Sequence, residues 1–376
     1  MKILKLKIIY YSSITLLAIF LLLPAVKASL LFSRREWLYI FAIALLLSYL
    51  LTPLVRMVAL RVGVLDYPDE RKIHTKPVPL LGGVAVCIAF LVAVLRNLHF
   101  SDPLIGIILG GTIMLIMGVV DDVRGLSAGV RLTVQILATF VIIKYGVMLT
   151  FMPNVLWGRV AEIVLTIIWV VGITNALNFI DGMDGLATGL GIICFLSFFI
   201  IALQTNQSYL GLLTIALIGS CLGFLRYNFK PAKVFLGDAG SNFMGFTLAG
   251  LAIMGEWAEG NVVKLSIPIL VLGVPIFDII YTTAARIKKG EVSNFKEWIK
   301  YTGRDHFHHR LLSLGLTERQ TVLFIYAVSL CLGMSGVVLM GAPPMDALLL
   351  LGQGIIIFAI VAILMLLGKR KGDSYY

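Results

Sequence analysis

IVLTIIWVVGITNALNFIDGMDGLATGLGIICFLSFFIIAL (163–203) reads as two apolar runs joined by a short acidic turn. A helix needs ~20 mostly apolar residues to cross a ~30 Å hydrocarbon core. Each run approaches that length, and Asp181 and Asp184 stand where the two meet water. A carboxylate at a bilayer boundary keeps its place only through pairing, hydration or a bound cation, so the turn reads as a functional site.

The same arrangement recurs on both sides. GVVDDVRGLS (118–127) and VFLGDAGSNF (234–243) also set acids at the mouths of apolar spans. Further out, 59% hydrophobic and 14% charged residues over 376 positions exclude a string of soluble domains. Candidate spans begin near 8, 37, 80, 103, 130, 159, 186, 209, 241, 261, 320 and 346. The expected fold is therefore an all-α polytopic membrane helix bundle of about 11–12 transmembrane helices, treated as one domain over 1–376. Gly106, Gly110 and Gly111 suit close helix packing in lipid. The four cysteines, all inside apolar runs and without metal-ligand spacing, read as small core residues.

The formal charge of +11 does not make nucleic acid a partner, because in a membrane protein the distribution of Lys and Arg governs. Alternating spans put 24 of the 31 basic residues on the side of the loop at 61–79. That side is assigned to the cytoplasm, with both termini, all three acidic motifs and a histidine-rich loop at 303–312. The chain is expected to be a multi-pass protein of the inner (plasma) membrane with its site on the cytoplasmic face. MKILKLK and the following apolar run fit either a retained first helix or a signal-like segment. Pro268, Gly273 and Pro275 should break the span at 261–285, a feature that usually lines a cavity, and NFKEWIK (294–300) suits an interfacial helix.

Chemistry follows from spacing. Asp121 and Asp122 diverge by ~100° on a helix, so two different jobs are implied. Asp181 and Asp184, three apart beside Gly182 and Gly185, bring like charges together, and a hard oxygen-ligated ion such as Mg²⁺ is the economical answer. Asn178 adds an amide. In YNFKPAKVFLGDAGSNF (227–243), Asn228, Lys230 and Lys233 offer an amide and cations for phosphate, Phe235 a ring for a base, and Asp238 an acid for metal. GRDHFHHRLL (303–312) packs His306, His308 and His309 between Arg304 and Arg310, which favours pyrophosphate contact or acid/base work over zinc. DERKIHTKPVPLLGG (69–83) supplies Lys72, His74 and Lys76 in the same compartment.

In family order, the Asp-Asp, NxxDGxDGL, NxxPAxVFxGDxGS and histidine-loop signatures resemble those of the polyprenyl-phosphate N-acetylhexosamine-1-phosphate transferases, over roughly 37–340. The resemblance implies a bacterial membrane enzyme that moves sugar 1-phosphate from a UDP-N-acetylhexosamine to polyprenyl (undecaprenyl) phosphate. UMP is released, and Mg²⁺, or Mn²⁺ in its place, is the cofactor. It implies Asp238 as principal metal ligand with Asp181 beside it, and Asp121 and Asp122 around the lipid phosphate. Asp181 and Asp184 would serve the cleft, Asn228 and Phe235 lie near the nucleoside, and the histidine loop holds pyrophosphate or sugar.

The His-Phe-His-His order resembles the N-acetylglucosamine branch more than the phospho-MurNAc-pentapeptide translocases, so UDP-GlcNAc is the expected donor and the translocase-like activity the alternative. Residues 1–32 and 346–376 would then be additions to a ten-helix core. Partners are the two substrates, the bilayer and, as a candidate, a second copy in a homodimer. A transporter is the rival from another class, since broken helices and intramembrane acids mark carriers too. Clustering of the acids at one surface and the absence of repeated halves weigh against it.

Overall fold

The computed structural model describes residues 2–23, 26, 35–68, 74–97, 101–257, 261–294, 297, 303, 305–340 and 343–372, with side chains left aside at 2–11, 261–264, 344 and 366–372. Lys72 and Arg304 lie outside the described residues, as does most of the expected interfacial helix at 294–300.

Helices α1 (Lys2–Leu21) and α2 (Glu36–Val62) come first, followed by strands β1 (Leu65–Asp66) and β2 (Val78–Pro79). Then come α3 (Gly82–Leu95), α4 (Asp102–Arg124), α5 (Ala128–Lys144), α6 (Leu156–Ile180), α7 (Leu186–Gln204), α8 (Ser208–Asn228) and α9 (Gly237–Met254). The chain closes with α10 (Asn261–Val271), α11 (Gly273–Lys288), α12 (Phe307–Ser313), α13 (Glu318–Val338) and α14 (Pro344–Gly372).

A helix lies at each of the twelve expected positions, α10 and α11 sharing one. Among the described residues, however, seven are long and apolar enough to cross a membrane alone, and the pair α10–α11 makes an eighth. Helix α5 spans 17 residues, and two others are short for a packing reason. Helices α3 and α9 span only 14 and 18 residues, and both are buried among neighbours, so neither needs a full apolar exterior. Helix α9 is the centre of the bundle, packed by α3, α4, α6 and α7. Its residues from Gly237 to Ala252 are buried almost without interruption. The lipid-facing side belongs to helices such as α14, where Leu348, Leu349, Ile355 and Ile356 are exposed.

Two local findings depart from expectation. The loop after α2 is not free of strand: Leu65 pairs with Pro79 and Asp66 with Val78, antiparallel. A residue before proline is pushed to extended geometry, which readies Val78 for pairing. The break at 272 is real, bending the span by 78°. At the break the helices pack closely, because a methyl group on Gly273 would meet Leu332 of α13 and Phe358 of α14.

Close approach positions the site. A Cβ on Gly118 of α4 would fall 2.4 Å from the Asp238 carbonyl, so only glycine lets α4 lie against the first turn of α9. Three of the four cysteines are buried and Cys331 is exposed, all unpaired.

Candidate active site

The acidic ends of α4, the α6–α7 turn and the start of α9 converge on one cleft of about 430 Å³. Asp121, Asp122, Asp181, Asp184 and Asp238 all line it, with Asn178, Asn228, Phe235, His74 and His309.

Asp121 and Asp122 do separate work, as their divergence on α4 requires. Asp121 is buried and accepts from the Leu126 N–H at 2.6 Å and from Arg131 at 3.2 Å. Asp122 accepts from the Asp238 N–H at 2.8 Å and the Ala239 N–H at 3.1 Å. These are orphan donors at the start of α9, where a carboxylate also meets the positive end of the helix dipole. Gly237, at φ +73, turns the chain into that contact, and a Cβ there would sit 2.6 Å from an Asp122 oxygen.

Asn178, in the last turn of α6, donates from Nδ2 to Asp238 Oδ1 at 2.6 Å and to Ser241 Oγ at 2.8 Å. Asp181 caps α6 and faces the cleft floor. Burial, then the carboxylates of Asp238, Asp122 and Asp184, push its carboxyl well above the ordinary range. Asp184 is also raised, chiefly by burial, against a hydrogen bond from the Ala232 N–H at 2.8 Å. Four acids that repel one another around one space invite a cation.

The hairpin supplies the next wall. His74 Nε2 lies 2.9 Å from Asp66 Oδ2, its Nδ1 lies 2.9 Å from the Lys76 carbonyl, and its ring meets Phe235 edge-on at 5.2 Å. Backbone bonds from Phe235 to Pro79 and from Gly82 to Phe235 lock hairpin and ring together. Asn228 lines the cleft yet spends its amide on the protein: Nδ2 donates to the Val234 carbonyl and Oδ1 accepts from Thr188. The side chains of Lys76 and Lys233 are not among the lining residues.

The histidine loop divides. A short helix shows one side to the cleft, and in α12 that side carries His309. His306 lies outside the lining: its Nδ1 is 2.7 Å from Asp278 of α11, and its Nε2 is 3.3 Å from Arg286. Asp278, fully buried, also accepts from the Phe307 N–H at 2.6 Å. Arg286 grips Asp305 through two bonds of 2.7 and 2.8 Å. Burial alone would raise Asp305, but that guanidinium wins and holds it below the usual carboxylate range. His308 is buried behind Gly182, and neither ring nitrogen has a hydrogen-bond partner. Burial, with His309 and His306 nearby, holds it well below the ordinary histidine value. Arg310 lies away from the lining too, donating to the Asp305 carbonyl and covering the Tyr281 ring at 4.9 Å.

Asp66 and Glu318 also line the cleft and were not singled out from the sequence. Glu318 opens α13, far along the chain, and pairs with Lys230 across the rim. An acid-rich LDYPDE segment was the one available signal for Asp66; nothing local marked Glu318.

Comparison with known proteins places the chain among relatives. Residues 104–256 match the model for Glycosyl transferase family 4. The chain is 35% identical over 86% of its length to the probable undecaprenyl-phosphate N-acetylglucosaminyl 1-phosphate transferase of Bacillus subtilis, covering 90% of that protein. It is 30% identical to the decaprenyl-phosphate N-acetylglucosaminephosphotransferase of Mycobacterium tuberculosis, over 91% of each chain. It is also 28% identical to the undecaprenyl-phosphate alpha-N-acetylglucosaminyl 1-phosphate transferase of Escherichia coli K12, over 75% of this chain and 78% of that one.

Proposed function

Because the chain belongs to glycosyl transferase family 4, we propose that its cleft transfers N-acetylglucosamine 1-phosphate from UDP-GlcNAc to undecaprenyl phosphate, releasing UMP and leaving undecaprenyl-diphospho-GlcNAc. The protein is a multi-pass membrane phosphoglycosyl transferase acting on a polyprenyl phosphate. One observation carries the reading: acids from five separate segments, two amides and an aromatic ring line a single cleft at the ends of apolar helices. The product would start a wall polymer or surface glycan. The excess of basic residues on the cleft side supports a cytoplasmic site.

The donor set fits Mg²⁺. Among the described residues no three of His, Cys, Asp or Glu form a ready-made cage. Mg²⁺ commonly takes only one or two carboxylates and completes its shell with water and substrate phosphate. Asp238 and Asp181 are the proposed holders, since burial and neighbouring carboxylates oppose charge on Asp181 and a bound cation would offset them. When bound, the ion would neutralise charge between two anionic substrates.

The chain's own residues orient and exclude. Asp122 fixes the first turn of α9, and with it Asp238. Both oxygens of Asp121 are committed, to Leu126 and Arg131, which suits orienting the lipid phosphate better than taking a proton. No strong base is required, because a phosphate monoester has a second pKa of ~6 and is mostly ionised at neutral pH. The lipid phosphate oxygen bonds to the β-phosphorus as the bond to the UMP oxygen breaks, a single displacement driven by positioning. Phe235 would frame the nucleoside side and His309 the sugar or diphosphate side, while Asn178 holds Asp238 in place.

The test uses purified protein in detergent with Mg²⁺ and undecaprenyl phosphate. UDP-GlcNAc, UDP-GalNAc and UDP-MurNAc-pentapeptide are offered separately and UMP release is followed. Release with UDP-GlcNAc alone, dependent on the lipid, is expected. Preference for the pentapeptide donor would overturn the donor assignment, and UMP exchange without lipid would point to a covalent aspartyl-phosphate instead.

A further inference from the structure

We propose that Glu318 is a displaceable counter-ion that holds Lys230 until the diphosphate of the nucleotide donor takes its place. The inference rests on the donor reading above. Seven carboxylates line the cleft, and among the described lining residues Lys230 is the one Lys or Arg. A dianionic diphosphate entering such a cleft needs every cation within reach, yet the Lys230 ammonium is already paired with Glu318.

The pair is built to break cheaply. Its side chains are 34% and 26% exposed, and an ion pair that wet contributes little. A diphosphate carries more charge and more acceptor oxygens than one carboxylate, so it competes well for the same ammonium. Lys230 would not travel far, because the backbone around it is fixed. Asn228 is tied to Thr188 and Val234, and the Ala232 N–H to Asp184.

Glu318 is not stranded when its partner leaves. It occupies the first turn of α13, where the helix dipole favours an acid. The capping box of that helix is made by Thr317 and Gln320 and does not use the Glu318 carboxylate. Removal of the charge should therefore leave the helix start intact.

The exchange makes Glu318 a brake on donor affinity. The experiment titrates UDP-GlcNAc with Mg²⁺ into the full-length protein in detergent, without lipid acceptor, by calorimetry. Glu318→Gln is expected to bind about fivefold tighter, the scale of one exposed ion pair. Lys230→Gln should bind about tenfold weaker, as loss of a charge-assisted bond implies, and the double variant should match Lys230→Gln.

Unchanged or weaker binding by Glu318→Gln would overturn the proposal, as would a double variant in which the two effects simply add. Because no turnover is needed, the two readings separate. Failed transfer with tighter Glu318→Gln binding sinks the activity alone, whereas intact transfer without tightening sinks the counter-ion role alone.

Discussion

Asp122 ends one helix and starts another: its carboxylate accepts the backbone N–H groups of Asp238 and Ala239 at 2.8 and 3.1 Å, joining α4 to α9 at the proposed metal side of the cleft. The bond is possible because Gly118 and Gly237 leave room for the approach.

Asp122→Asn keeps the size but loses the second acceptor and the charge. It should cost about 1 kcal/mol of stability, the worth of a helix cap, and lower activity by on the order of a hundredfold through misplacement of Asp238. Thermal unfolding beside UMP release checks both. Near-normal turnover would remove Asp122 from the positioning of α9.

Asp278 and His306 stand outside the cleft yet fix the loop that carries His309 into it. His306→Ala leaves a fully buried carboxylate short of a partner, which typically costs 3–5 kcal/mol. Asp278→Asn, able to keep a hydrogen bond, should be milder in melting temperature while still lowering kcat. If His306→Ala retained wild-type stability, the clamp would not hold the loop.

His308 sets an acid limit. Its folded pKa lies well below 6.5 because burial opposes the charge, so the unfolded chain takes up the proton first as pH falls. Stability from this site is complete above pH 6.5 and declines as pH drops toward the folded value. Asp305, lowered by Arg286, contributes above about pH 4 and loses its share only below that. The melting temperature of wild type should therefore fall more steeply from pH 7.5 to 5 than that of His308→Leu, and parallel curves would remove His308 as the cause.

Asp181 gives a readout of the cation apart from turnover. Mg²⁺ should raise the melting temperature of the wild type, since a ligand bound only to the folded state stabilises it. Asp181→Asn relieves the mutual repulsion, so it should be more stable than wild type without Mg²⁺ and gain little from its addition. Equal Mg²⁺ shifts in both proteins would exclude Asp181 as a holder.

Much of the site was legible because its signals are local. Asp121 with Asp122, Asp181 with Asp184, and Asp238 each sit within a few residues of an apolar run, and the cost of a charge at a bilayer edge marks them wherever the helices go. All five line the cleft. The division of His306, His308 and His309 was not legible. Three histidines within four residues look alike in sequence, and only the packing of α11 against α6 and the buried Asp278 decide which one faces the cleft.

Sequence by itself determined that the chain is a membrane helix bundle, where its helices lie, and which acids stand at the mouths of its spans, because hydropathy and charge act over stretches of a few to twenty residues. Tertiary structure alone decided that α9 is the centre, that Asn228 serves the backbone, and that Glu318 meets Lys230 from 88 residues away. Contacts of that kind depend on how helices pack in space, and no pattern along the chain encodes the distance between two side chains on different helices.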